Sequence, residues 1–507
     1  MVETVTAISV TVLALGATTL VGLWAVRGRT RSAESLISAQ GQASEGMTVA
    51  SVIASIMGVW ILLSPAEAGA AFGGLPAILG YAVGSAVPLV LFVVIGTRIR
   101  EVMPLGHSLT QYVHIRFGSW FYGFVLAVAV FYLFLFLAAE MTGISLALQL
   151  VADVPLWMTA SIIGGFVLVY TAYGGLVASL VTDTVQALLL LPLLVVGFAS
   201  AVVALGGAGS VHSQIVATRP ALLDPTNSGG MAFGLYVVLA VVGANLMNQG
   251  LWQRVWAADS EATVRRSFGI AAVAVVPMVL IAGLFGVAAA GLGVVGDRPG
   301  IAFFLVLDAA FPAWVTLAVI VIASLLVASS ADTVLNAIAS IVTTDVVRFQ
   351  TEASDRSVML VARVVTVLAA ASAMFVGAQG YGVLTLFLLA DLLAAAAVAP
   401  FVLGLYLPTL TERGALAAGG SGLAVGLAYV PSVRGILAAV GVLGLPQPSF
   451  LVAFVGATAV SVGVSLAAAA LSTERFPMES LREVNAFDRR TGVPQTDGGS
   501  KPGGEQR

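Results

Sequence analysis

The 507-residue chain has no cysteine, three histidines and few charges, with Asp, Glu, Lys and Arg making up only 9% of it. Without cysteine there are no disulfides and no thiolate chemistry. His107, His114 and His212 stand between apolar runs, where a lone histidine is ordinarily solvated, and no HExxH, GxSxG or phosphate-loop pattern occurs. No enzyme reading survives these absences. No basic, aromatic-interleaved patch and no finger spacing suggests nucleic acid, and no repeated filter sequence suggests a channel. What fills the space left by charge is apolar: 59% of residues are hydrophobic and mean hydropathy is +1.04, more than one soluble core can hold. The chain reads as an all-α polytopic membrane protein embedded in a lipid bilayer.

A bilayer crossing needs about 20 apolar residues. Segments of that kind fall at 4–25, 48–72, 76–97, 120–149, 154–172, 175–202, 231–253, 268–290, 313–345, 357–376, 381–407, 414–430 and 449–472, which predicts 13 transmembrane helices. The segment 433–444 is short and glycine-interrupted and reads as a loop or partial helix. Only Glu3 precedes the first span, and no small-residue cleavage pattern follows it, so it is expected to be retained. With thirteen spans, alternate loops and the tail hold 19 of the 22 basic residues, leaving Arg219, Arg298 and Arg434 opposite. That asymmetry predicts an outer N-terminus and a cytoplasmic C-terminus in the cell membrane.

The expected organisation is an extra N-terminal helix and cytoplasmic loop (1–47), five spans (48–202), an outer loop (203–230), five more spans (231–407), two peripheral helices (408–472) and a disordered polar tail (473–507). An odd number of spans per half inverts the second half relative to the first, as in inverted-repeat transporters. A short helix around Phe303, Phe304, Leu305 and Leu307 is expected over the outer mouth.

Polar residues inside the spans mark the candidate sites. In SIMGVWILLSPAEAG, Gly58 and Pro65 weaken the helix, so carbonyls near Ala54 to Met57 would be freed by a break there; the alternatives are a packing notch and a simple kink. Trp60 is mid-helix, suited to an aromatic wall beside a solute, whereas Trp24, Trp120, Trp157, Trp252, Trp256 and Trp314 lie near span ends and read as an interfacial belt. Ser64 belongs to the same stretch. Glu67 is either a site residue or a solvated helix end. In SSADTVLNAIASIVTTD, Ser329, Asp332 and Asn336 share a face, and hydroxyls with freed carbonyls suit Na⁺ better than a divalent ion; back-bonding to the preceding turn is the alternative. Thr182, Asp183 and Gln186 form a second cluster. Asn245, Asn248 and Gln249 supply amides for a small polar solute, while Gln253 and Arg254 read as interface anchors. Asp391, deep in an apolar helix, would pair with a cationic solute or a neighbouring hydroxyl.

The segments GGLVASLVTDTVQ (174–186), NQGLWQR (248–254), SSADTVLNAIASIVTTDVV (329–347) and RIREVMPLGHSLTQYVHIRFG (98–118) together resemble the sodium:solute symporter family over about residues 1–475. SIMGVW, LGHSLTQYVHIRFG and the Trp-Gln-Arg ending look most like its urea and polyamine-type carriers. The resemblance implies a five-plus-five inverted repeat of the LeuT type and Na⁺-driven alternating access. It maps a sodium site onto the carbonyls of Ala54, Met57 and Leu326 and the hydroxyls of Ser329 and Ser330. It maps a second ion path onto Asp183 with Thr182, and a substrate contact onto Asn248. At Asp332, relatives more often carry a neutral hydroxyl. The implied activity is Na⁺ symport of a small polar organic solute, urea-like or an amino acid such as proline; a polyamine or monocarboxylate symporter and, more remotely, a gradient-independent facilitator are the alternatives. One chain is expected to suffice for transport.

Overall fold

A computed structural model describes residues 2–25, 41, 43–56, 58–349, 355–430, 433, 439 and 447–483, with backbone alone at 21–23, 25, 170, 172–191, 193–194, 343–349, 355 and 483. The regular structure is helical, and the sole bridge pairing among the described residues is an isolated one, Ala43 with Ala258. The first half contains α1 (Thr4–Ala25), α2 (Glu45–Ile56), α3 (Trp60–Ala71), α4 (Leu75–Val102), α5 (Leu109–Phe117), α6 (Ser119–Ala152) and α7 (Leu156–Ala204). After α8 (Ala208–Thr218) come α9 (Ser228–Leu246), α10 (Gln249–Ala257), α11 (Glu261–Gly291), α12 (Ala302–Ala310), α13 (Ala313–Phe349), α14 (Asp355–Gly377) and α15 (Val383–Leu403). Two further helices, α16 (Glu412–Ala428) and α17 (Phe450–Leu471), follow.

Local chemistry explains the boundaries. Ser108, Ser260, Thr411 and Ser449 each accept a backbone N–H as N-caps of α5, α11, α16 and α17. Gly74, at φ 67°, turns the chain into α4, which then opens with Pro76 in its first turn. Two arginines serve as remote C-caps. Arg100 donates to the carbonyls of Val255 and Ala258 at 2.7 and 2.8 Å, closing α10. Arg116 donates to Gly404 and Leu407 just beyond α15. Its side chain is buried, and that burial holds its pKa below the ordinary arginine value.

Burial sorts the helices into a centre and a rim. The most apolar stretches of α13 and α15 are 72% buried, against 28% for α14 and α17. The rim carries exposed apolar side chains such as Leu360, Leu368, Phe375 and Leu471, as a lipid-facing surface requires. Within the centre, α6 packs against α13 and α15, and α4 against α9 and α11. The α4–α9 contact depends on small residues: a Cβ at Gly80 would overlap the Gly234 backbone.

The expectation of 13 transmembrane helices is corrected. Among the described residues eight helices are long and apolar enough to cross a membrane, or ten if two bent pairs each count as one span. An apolar window measures composition, whereas a crossing needs unbroken helix of the right length. The windows 154–172 and 175–202 form one helix of 49 residues, about 73 Å at 1.5 Å per residue. The window 414–430 holds a helix of only 17 residues, and the described apolar part of the first window, Thr4–Leu20, is also short. The window 231–253 ends its helix at Leu246 and restarts at Gln249. The loop-alternation argument for the termini loses its span count with this correction. The region 203–230 is not simply loop, since it contains α8 and a 3₁₀ turn at Pro220–Leu222, whereas the short helix expected near Phe303 is present as α12. Most of 433–444 lies outside the described residues.

Candidate functional site

Two interrupted helices organise the centre. The first breaks between Ile56 and Trp60, and its arms, α2 and α3, are bent by 47°. The second breaks at Met247–Asn248, between α9 and α10. An interruption leaves carbonyls free at the end of one arm and N–H groups free at the start of the next. In both places a tryptophan takes up a carbonyl: Trp60 Nε1 donates to Ile56 O and Trp252 Nε1 to Leu246 O, each at 2.8 Å.

The free N–H groups are met differently. At the second break Asn248 caps its own helix, with Oδ1 accepting from Gly250 N at 2.8 Å. At the first, the acceptor comes from the middle of α6. Glu140 Oε2 accepts from Val59 N at 2.8 Å and Oε1 from Trp60 N at 3.2 Å, while Ser330 Oγ donates to Oε2 at 2.7 Å. Glu140 is fully buried. A Cβ at Gly58 would overlap its carboxylate, so glycine is what lets the two approach. Sequence reasoning missed Glu140. The signal was available, because it is the sole acidic or basic side chain within the apolar window 120–149.

Ala54, Leu326, Ser329 and Ser330, expected around an ion, are all buried on α2 and α13, which pack against each other. The carbonyls of Leu326 and Val327, both 3.2 Å from Ser330 Oγ, are the alternative acceptors for its single proton. The back-bonding alternative and the ion-ligand reading therefore meet in one hydroxyl, whose oxygen keeps acceptor capacity. Met57 and the side chains of Thr182 and Asp183 lie outside the described residues.

Between the breaks lies a cavity enclosing about 440 Å³ of empty space, part of it open to solvent. Trp60, Tyr81, Tyr132, Phe136 and Phe387 give it aromatic walls, Asn245 and Asn248 line it from α9 and the break, and Asp391 faces it from α15. Trp60 and Tyr81 stack with centroids 5.8 Å apart. No basic side chain is among the lining residues. Ser64 is buried and does not line this cavity. Glu67 does not line it either: it lies beneath the 3₁₀ turn Pro299–Ile301, and its Oε2 has no hydrogen-bond partner among the described residues.

On the α10 side of the cavity, four polar residues interlock where the sequence suggested a membrane interface. Arg254 is fully buried; it donates to Ser51 Oγ at 3.1 Å, to Gly250 O at 3.2 Å and to Thr333 Oγ1 at 3.0 Å. Thr333 Oγ1 in turn donates to Asp332 Oδ1 at 3.4 Å. Gln253, Trp252 and Trp256 are buried as well, which corrects their reading as anchors and belt residues, while Trp24, Trp120, Trp157 and Trp314 are exposed. Gln249 joins three elements, accepting from Leu109 N and donating to His107 O and Ser340 Oγ. His107 is buried, and His114 and His212 belong to α5 and α8 rather than to solvated loops.

The sequence profile of the sodium:solute symporter family matches residues 37–422. The chain is 27% identical over 356 residues to the spermidine transporter DUR31 of Candida albicans, a match covering 70% of this chain and 66% of that one. It is 22% identical over 242 residues to the probable urea active transporter 1 of Schizosaccharomyces pombe, covering 45% and 36% respectively. The matches thus span less than two thirds of each relative. Among solved structures, a Na⁺-coupled sialic acid symporter in a substrate-bound outward-open state superposes with a TM-score of 0.71 at 20% identity, over 92% of this chain and 98% of that one. Mhp1, a nucleobase-cation-symport-1 family transporter in a closed conformation with bromovinylhydantoin bound, gives 0.57 at 15% identity, over 87% and 95%. At these identities the likeness is one of fold, and it supports an inverted-repeat-like arrangement, with eight to ten helices among the described residues long and apolar enough to cross a membrane.

Proposed function

The chain belongs to the sodium:solute symporter family, and from that premise we propose that it carries a small organic amine cation together with Na⁺ by alternating access. Family membership makes it a transporter rather than an enzyme, and Na⁺-coupled movement of a small polar solute is the family-level activity. The amine is the finer step, and the observation that carries it is Asp391. A carboxylate facing a cavity with aromatic walls and no basic side chain is an arrangement for a cation, which gains from the opposite charge and from the faces of Trp60 and the tyrosines. A urea-like solute is the second reading, favoured by the amides of Asn245 and Asn248 on the same cavity; proline or a monocarboxylate would leave Asp391 without a role.

In this reading Ser329 and Ser330 offer hydroxyl oxygens, and Ala54, Met57 and Leu326 offer carbonyls, to the transported Na⁺. The described ones, Ala54, Leu326, Ser329 and Ser330, belong to α13 and to the arm ending at the first break, so an ion held between them fixes the angle of that break. The solute sits between the two breaks, against Trp60, Asn248 and Asp391. Coupling requires that both ligands bind one state better than the other, since equal binding shifts nothing. Thr182 and Asp183 are retained as a second ion path on the resemblance alone. Ser64 and Glu67 are kept as solute contacts only for a state whose cavity extends along α3. The outer N-terminus and cytoplasmic C-terminus are kept in the same proposal from the distribution of arginine, on the condition that the number of crossings is odd. A single chain is taken as sufficient for transport.

The test is uptake into proteoliposomes of labelled spermidine, urea and proline with and without an inward Na⁺ gradient. Amine uptake that needs the gradient, and that falls at least tenfold in Asp391→Asn, is expected. Urea uptake that survives Asp391→Asn would replace the amine by the second reading, and uptake indifferent to the gradient would make the protein a facilitator. Ser329→Ala and Ser330→Ala are each expected to raise the Na⁺ concentration for half-maximal uptake; unchanged titrations in both would remove the ion-site assignment.

A further inference from the structure

We propose that Glu140 is the positioning residue that couples the ion site to the solute cavity, a role that rests on reading Ser330 as a Na⁺ ligand. One carboxylate gathers three donors from two places. Val59 N–H and Trp60 N–H begin the second arm of the first break, and Ser330 Oγ–H comes from the expected ion site on α13. Trp60 then carries the connection to the cavity. Its ring lines the cavity, stacks on Tyr81 and donates across the break to Ile56 O. Every link from Ser330 to the aromatic wall is therefore a hydrogen bond or a ring contact.

The chemistry gives the link a direction. Two N–H groups at a helix start offset part of the cost of burying the Glu140 charge, and a cation on the lone pairs of Ser330 offsets more of it. Such a cation also polarises the Ser330 hydroxyl, which strengthens its donation to Oε2 and firms the carboxylate's hold on Val59 and Trp60. Ion binding thus favours the arrangement that sets Trp60 in the cavity wall, and by linkage solute binding favours the ion to the same degree. Gly58 leaves room for this and nothing more, since any Cβ there would meet the carboxylate.

Charge and shape are separable. Glu140→Gln keeps the shape and removes the charge, whereas Glu140→Asp keeps the charge and shortens the reach. A residue that only fills space would tolerate Gln better than Asp; a coupling carboxylate would do the reverse, and because the Gln amide nitrogen cannot accept from Val59 N, Trp60 N or Ser330 Oγ, the response of the break to Na⁺, not its stability alone, separates coupling from capping. The full-length protein in lipid nanodiscs is titrated with NaCl against choline chloride at constant ionic strength. Thermal stability reports Na⁺ binding, and amide hydrogen exchange across 58–61 reports the break. For the wild type, Na⁺ is expected to slow exchange at Val59 and Trp60. For Glu140→Gln the half-saturating Na⁺ is expected to rise at least tenfold, about 1.4 kcal/mol, with exchange at 58–61 no longer responding. Glu140→Asp is expected to stay within about threefold of the wild type, since it keeps the ion–charge interaction. In a double-mutant cycle with Ser330→Ala, the second change is expected to add less than twofold, because both remove one linkage. Overturning results are a Gln variant within twofold of the wild type with its exchange response intact, or an Asp variant more impaired than Gln. Absence of any Na⁺ response in the wild type would remove the ion-site reading and this one with it. Because the probe is Na⁺ alone, the result does not depend on which solute is carried.

Discussion

The two helix interruptions solve one problem in two ways. At Met247–Asn248 the chain supplies everything within six residues: Asn248 caps the new arm and Trp252 reaches back to Leu246 O. At Gly58–Val59 the carbonyl side is also local, through Trp60 to Ile56 O, but the N–H side is met by a carboxylate 81 positions away from Val59. A self-capped break keeps its geometry whatever its neighbours do. A break capped from another helix moves when that helix moves, which makes the first interruption the one suited to sense an ion and the second suited to be a fixed wall.

The sharpest way to break this contrast is to remove the caps. Glu140→Ala orphans two backbone donors, Val59 N–H and Trp60 N–H, each worth about 1–3 kcal/mol when unpaired, while Ser330 falls back on its carbonyls at Leu326 and Val327. It is expected to lower the thermal unfolding midpoint in Na⁺-free detergent more than any other change here and to abolish Na⁺-dependent uptake. An effect no larger than that of a surface substitution would mean that the first break does not lean on α6. Asn248→Ala removes a single N-cap, with an expected loss of about 1 kcal/mol, read in the same unfolding measurement. If it proved as damaging as Glu140→Ala, the second break could not be called self-sufficient. Trp60→Phe and Trp252→Phe each delete one donor to an arm-end carbonyl and are expected to cost comparable amounts, about 1 kcal/mol for the hydrogen bond. They should differ in function, with Trp60→Phe weakening solute affinity because only Trp60 lines the cavity. Trp314→Phe, on the exposed rim, is expected to stay within about 0.5 kcal/mol and to leave uptake unchanged.

Much of the site was legible because polar atoms in apolar helices stand out. Ser329 and Ser330 on α13, Trp60 beside Gly58, Asn248 in its capping position and Asp391 in α15 could all be singled out from one-dimensional sequence, and three of them line one cavity. Glu140 was legible in principle, yet its partners are on α3 and α13, and nothing in its own neighbourhood announces them. Arg254, Trp252 and Trp256 were misread for the opposite reason. Distance from the end of an apolar window suggested an interface, but α10 folds into the protein, where Ser51, Thr333 and Met103 O receive their donors. Asp332, unexplained by composition, acquires neighbours in the Arg254–Thr333 network. The count of crossings failed because hydropathy cannot distinguish two helices in series from one long one.

Composition was sufficient for the membrane environment and the helical class, and the resemblance of motifs read in order for the family, because each is a property of local sequence. Which polar groups meet was decided only by tertiary structure. A buried carboxylate, two backbone N–H groups and a serine hydroxyl from three helices have no preferred relation along the chain, and it is the need of each to be satisfied away from water that brings them to one point.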